Sequence, residues 1–113
     1  MIKNISKNIV ICNNKKILKN VFEKALGLMF SKPINDIGYV FVFDKIQKVS
    51  LHMFFVFFPI DVVFLDENKK VVEIKENFRP FSFYTSKNKV KYVIEMPFGS
   101  VKKKIYINNV LFF

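Results

Sequence analysis

The sequence is short of the residues that most catalytic and cofactor motifs require. It has one cysteine (Cys12), one histidine (His52), one arginine (Arg79), three glycines and no tryptophan. A single cysteine excludes an internal disulfide and any CxxC knuckle, and suits a reducing, cytoplasmic compartment. A single histidine excludes a multi-histidine zinc centre. Three glycines leave no glycine-rich phosphate loop. No metal or other cofactor is therefore expected.

Long apolar runs are missing too. The longest, from Leu51 to Leu65, falls short of the roughly twenty residues a helix needs to cross hydrocarbon. Pro59 and Asp61 interrupt it, and both are costly inside a membrane helix. The N-terminal MIKNISKNIVICNNKK has too short an apolar stretch for a secretory signal. No membrane partner is expected.

Lysine and phenylalanine are abundant instead. The net charge is +10, but 18 of the 19 basic residues are lysine. They run from Lys3 to Lys104 with one short cluster, Lys102-Lys103-Lys104. Nucleic-acid readers favour the arginine fork, so this texture points to a solvated surface more than to a polyanion groove. Fifteen phenylalanines replace the missing tryptophan. The stretch Ser50–Asp66, SLHMFFVFFPIDVVFLD, holds five of them with the histidine and one mid-run aspartate. These rings read as core.

At 113 residues, 51% of them hydrophobic, the chain reads as one domain, residues 1–113, with a real core. Asn8–Cys12 reads as a short strand. Asn13 and Asn14 can cap a helix, and Ile17, Leu18, Val21, Phe22, Ala25 and Met29 recur at helical spacing, so a helix is expected over roughly 16–26. Gly27 would stop it, and a loop follows over 31–38. Tyr39–Phe43 is apolar on both parities and should be a strand covered on both faces, ended by a turn at Asp44-Lys45. Gln47–Met53 alternates, with Val49, Leu51 and Met53 on one face and Lys48, Ser50 and His52 on the other. Ile60–Leu65 and Lys70–Lys75 read as a hairpin around Asp66–Lys69. Glu76–Ser86 reads as irregular. Lys89–Met96 is a strand ended by Pro97, with Glu95 on its polar face. Gly99–Lys103 reads as one helical turn. Ile105–Ile107 and Val110–Phe113 read as a hairpin whose last strand could pair between subunits, so a monomer or weak dimer is expected. The fold class that follows is α+β: a mainly antiparallel, strongly curled or barrel-like sheet with one main helix near the N-terminus.

Certain residues, in order and spacing, resemble a family. These are Gly27-Leu28-Met29-Phe30, Gly38 with Phe41 and Phe43, His52-Met53, Pro59-Ile60-Asp61, and Tyr92-Val93-Ile94-Glu95 followed by Pro97 and Gly99. From about Ile9 to Phe113 the chain resembles the uncharacterised family called domain of unknown function 192, in particular its short archaeal members. The resemblance implies a compact β-rich domain with a helix or two, and no established activity. Two positions depart from the pattern. Leu26 stands where relatives often have arginine, and Ile107-Asn108-Asn109 where they often have Val-Gly-Asp.

Asp61 is the sharpest anomaly, a carboxylate in an otherwise buried run. Its bland role is to accept backbone amides of the adjoining turn. A reversal at Pro59 would lay the strands of His52 and Asp61 side by side and bring the two residues together. The leading expectation is a non-enzymatic module that binds a small ligand or a protein through a shallow site beside that turn. Its candidate residues are Ser50, His52, Asp61, Tyr84 and Glu95. A second reading is single-stranded nucleic-acid binding through lysines and the segment Phe78–Tyr84, with Arg79, Phe81, Tyr84 and Lys87. A metal-dependent or hydrolytic enzyme is a third, since Ser50, His52 and Asp61 are the residue types of a triad, although no nucleophile elbow surrounds the serine.

Overall fold

A computed structural model describes residues 1–19, 35–53 and 55–113. Ten strands are described: β1 (Ile2–Asn4), β2 (Ile9–Cys12), β3 (Asn14–Leu18), β4 (Ile37–Gln47), β5 (Ser50–His52), β6 (Ile60–Leu65), β7 (Val71–Phe78), β8 (Phe83–Thr85), β9 (Val90–Pro97) and β10 (Leu111–Phe112). Five form the central sheet in the order β3-β4-β9-β6-β7. A three-stranded sheet, β10-β1-β2, and a two-stranded ribbon, β5-β8, complete the fold.

The α+β expectation is overturned: the described residues are all β and hold no helix. Residues 16–18, the start of the expected helix, lie in β3 and pair in parallel with β4, Lys16 opposite Tyr39 and Leu18 opposite Phe41. Lys19 follows β3 without regular structure, and residues 20–26 of that helix and the Gly27 stop fall outside the described residues. Asn13 and Asn14 do not cap. The Asn13 amide and side chain donate to the Asp36 carboxylate, both at 2.9 Å, and the Asn14 amide donates to the Asp36 carbonyl at 3.2 Å. These bonds hold the incoming chain beside β4. The adjacent pair Ile17-Leu18 suits strand alternation as well as a helical stripe, with Leu18 buried and Ile17 exposed.

The curled or barrel-like expectation fails as well. The central sheet is open, with β3 and β7 at its edges, and the β3–β4 pair makes it mixed rather than wholly antiparallel. Phenylalanine on both parities has another cause: the sheet carries a core on each face. Phe41, Ile60, Val62, Phe64, Phe78 and Val93 build one core. Val40, Val63, Leu65, Ile94, Met96 and Leu111 build the other. β6 lies between β7 and β9, and all six of its residues are buried. Each such large apolar side chain contributes about 1.5–3 kcal/mol by leaving water.

Local details depart in the same way. β4 runs through the expected turn at Asp44-Lys45, with a register shift between Val42 and Gln47. β7 runs on to Phe78, and part of the segment read as irregular is β8. The C-terminal hairpin does not form; β10 pairs with β1, and Val110 bridges to Lys70, so both sides of that segment are occupied. Asn108 does take the left-handed conformation expected of its turn, at φ 75°.

Candidate functional site

The β5–β8 ribbon covers the first core. Ser50 stands opposite Thr85, Leu51 opposite Tyr84 and His52 opposite Phe83. Leu51 and Tyr84 turn inward, with Val49 and Met53, onto the core around Phe64. Ser50, His52, Phe83 and Thr85 are exposed. The Ser50 and Thr85 hydroxyls share a hydrogen bond at 2.9 Å.

Beyond the ribbon the chain makes two loops that are bound to each other. The Met53 amide donates to the Ser82 carbonyl at 2.9 Å, and the Phe81 amide to the Met53 carbonyl at 2.8 Å. The segments singled out separately, around Pro59 and over Phe78–Tyr84, are therefore one surface. Four phenylalanines stand out from it: Phe55, Phe57, Phe81 and Phe83, from 46% to 68% exposed. The Phe81 ring meets Phe57 edge-on at 5.5 Å and Phe55 at 6.4 Å between centroids. Phe55 and Phe81 both hold left-handed backbone, at φ 56° and 58°, and are the only aromatic residues among those described to do so. For a bulky side chain that conformation costs about 1–2 kcal/mol. Reading every phenylalanine of the central stretch as core thus holds for Phe58 and Phe64 and fails for Phe55 and Phe57. Local pattern could not separate them, because their burial depends on which loop packs beneath.

Asp61 is fully buried, but its partners are not the Pro59 turn. Its carboxylate accepts the amides of Asn77 at 3.0 Å, Gly99 at 2.9 Å and Val101 at 3.1 Å. It ties the end of β7 to the loop after β9. Nor does it meet His52 across paired strands. β6 is flanked by β7 and β9, while β5 pairs with β8. Asp61 sits opposite Met96 and so faces the second core; the ribbon carrying His52 covers the first. The two candidate residues lie on opposite faces of the central sheet. A Ser50-His52-Asp61 triad is not assembled. Among the described residues no three His, Cys, Asp or Glu side chains are grouped to hold a metal ion.

Two further carboxylates went unread as buried. Glu73 accepts the Tyr84 hydroxyl, the Lys87 amide, and both the amide and the side-chain amide of Asn88. Burial pushes its carboxyl up, but these donors outweigh that and leave it below its ordinary pKa. The Tyr84 hydroxyl is raised to about 12, by burial first and then by Glu73. The Tyr84 ring packs edge-on against Phe64 at 5.6 Å, with the Lys75 ammonium 5.5 Å from its centroid. Glu95, placed on a polar face by alternation, is 93% buried between Tyr39 and Val62, and burial alone lifts its carboxyl to about 7.

Of the nucleic-acid set, Arg79 and Phe81 are exposed on the loop surface. Tyr84 is committed to Glu73 and the core, and the Lys87 amide to Glu73. A separate shallow cleft of about 360 Å³ opens between Cys12, Asp36, Phe98, Ser100 and Lys104. Its loop donors are already used: Asp61 takes the Gly99 and Val101 amides, and the Pro97 carbonyl takes the Ser100 hydroxyl.

Fold and site together define a small open-sheet β domain with an aromatic loop surface and no assembled catalytic set among the described residues. The chain belongs to the family domain of unknown function 192, described as an uncharacterised ACR, whose model matches residues 3–109. It is 36% identical to a UPF0127 protein of Pyrococcus horikoshii over 88% of this chain and 85% of that one. It is 37% identical to a UPF0127 protein of Thermococcus sibiricus over 89% of this chain and 66% of that one. A crystal structure of a candidate transcription regulator from Sinorhizobium meliloti superposes with a TM-score of 0.82 at 25% identity, over 87% of this chain and 79% of that one. A Novosphingobium aromaticivorans protein of unknown function superposes at 0.81, with 19% identity and 88% and 74% of the two chains covered.

Proposed function

We propose that this protein is a non-catalytic binding module, and that it engages a protein partner through the surface formed by Phe55, Phe57, Phe81 and Phe83 beside the Pro59 turn. One observation carries the reading. Two loops bonded to each other carry Phe55, Phe57 and Phe81, and the adjoining start of β8 carries Phe83; all four rings are about half exposed or more, two of them on strained backbone. Exposed contiguous apolar area of this kind marks interaction sites, and strain persists where the surroundings enforce it. Ser50 and His52 border this surface on the outer face of the ribbon. Asp61, Glu73 and Tyr84 hold the scaffold.

The test is a set of nitrogen-15 correlation spectra recorded against short peptides and small aromatic ligands. Shifts gathered on residues 52–58 and 79–84 are expected. Shifts gathered instead around Cys12 and Lys104 would sink the reading.

Nucleic-acid binding is the second reading. It is favoured by Arg79 standing beside Phe81 and by the description of the Sinorhizobium meliloti neighbour. Three of the rings pack edge to face on one another, which occupies faces that stacked bases would need.

A further inference from the structure

We infer that the partner of the phenylalanine surface is an acidic protein segment bearing aromatic or aliphatic anchors. This rests on the binding reading above and adds the chemistry of the occupant. The chain contains no carboxylate between Lys45 and Ile60, and none between Asn77 and Ile94. Those two stretches supply the ribbon and both phenylalanine loops. Their charged side chains are all cationic, and Lys48, Arg79 and Lys87 adjoin β5, Phe81 and β8 and are exposed. Glu73 lies beneath the ribbon, buried, with its carboxylate bound by donors from Tyr84, Lys87 and Asn88 and turned away from the outer surface. The molecule as a whole carries +10, so an acidic partner is also drawn in from a distance.

The arrangement is an apolar patch with Arg79 on its own loop and Lys48 and Lys87 beyond the far, Ser50–Thr85 end of the ribbon. Anchoring rings in the patch set affinity, and these charges select the sign of the partner and speed the encounter. An acidic segment with apolar side chains satisfies both. A basic segment meets repulsion from Arg79 and from the ribbon lysines. A nucleic acid meets these charges but gains little from rings already stacked edge to face.

Fluorescence anisotropy with short labelled peptides tests this. The arms are an acidic peptide carrying Leu and Phe, its lysine counterpart, a neutral counterpart, a thymidine oligonucleotide and phosphatidylserine vesicles. Binding of the acidic peptide is expected to exceed that of the lysine peptide at least tenfold and to weaken as salt rises. It should be lost in the double variant Phe57→Ser/Phe81→Asn, and fall severalfold in Arg79→Glu, with a cooperative melt well above the assay temperature retained in both. If neutral or basic peptides bind as well as the acidic one and the double variant removes them, the binding surface stands and the charge inference is overturned. Tighter binding of the oligonucleotide or vesicles overturns it too. If no arm depends on Phe57 and Phe81, both readings fail.

Discussion

The carboxylate of Asp61 accepts the backbone amide of Gly99 at 2.9 Å, across 38 residues of chain, on the face of the central sheet away from His52. With the amides of Asn77 and Val101 it closes a three-donor clamp. Removing it strands three amides, two of them on one loop. Asp61→Ala should cost roughly 2–4 kcal/mol of stability, and Asp61→Asn less, because the remaining oxygen still accepts. Urea denaturation at neutral pH reads both. A cost under about 1 kcal/mol for the alanine variant would show that the clamp is dispensable.

Tyr84 and Glu73 form the corresponding device under the ribbon. Tyr84→Phe keeps the ring contacts with Phe64 and Phe78 and removes one donor from a carboxylate that retains three other donor groups. The expected loss is about 1–2 kcal/mol. The Glu73 carboxyl should then rise from its lowered position, since one of the bonds that lowers it is gone. A carbon-13 carboxyl titration of both proteins measures the change; identical Glu73 curves would contradict the assignment.

Glu95 makes stability depend on pH in the opposite sense from most acids. Burial raises its carboxyl from 4.5 to about 7, so the folded protein holds this proton more tightly than the unfolded chain. Its contribution is full below about 4.5 and is lost as pH rises through about 7. Glu95→Gln should match the parent near pH 5 and exceed its stability by roughly 1–3 kcal/mol at pH 8. Parallel stability curves for the two proteins across that range would refute the effect.

The exposed rings predict tolerance where sequence alone predicts damage. Phe57→Ser and Phe81→Asn should each change stability by no more than about 0.5–1 kcal/mol, with asparagine the better choice at φ 58° because it accepts left-handed backbone. Phe64→Ala, by contrast, should cost about 3–5 kcal/mol, the usual range for a ring with no exposure. Thermal melts of the three variants separate surface from core. Comparable losses at Phe57 and Phe64 would return the loop rings to the interior.

Much of the strand inventory was legible, because alternation is a local property. Ile9–Cys12, Ile60–Leu65 and the faces of Val49, Leu51 and Met53 follow from period two and from the aspartate and asparagine turns between them. Asp61 also declared itself, since a carboxylate in a buried run needs donors. The donors were another matter. They come from residues 16, 38 and 40 positions away, and no pattern around Asp61 names them. The same limit turned residues 16–18 from an expected helix into β3, because the deciding bonds run from Asn13 and Asn14 to Asp36.

Sequence by itself determined that this is a lysine-rich, phenylalanine-rich chain with many short strands, of a recognisable family, lacking the histidine, cysteine and glycine sets of common catalytic and metal motifs; it did not determine the fold class, which it read as α+β. Tertiary structure alone decided which rings are core and which face water, which carboxylates are buried, and that His52 and Asp61 stand on opposite faces of one sheet. The reason is physical. Side-chain parity along a strand is set within a few residues, whereas the identity of the neighbouring strand, and hence of every burial and hydrogen-bond partner, is set by pairings between distant parts of the chain.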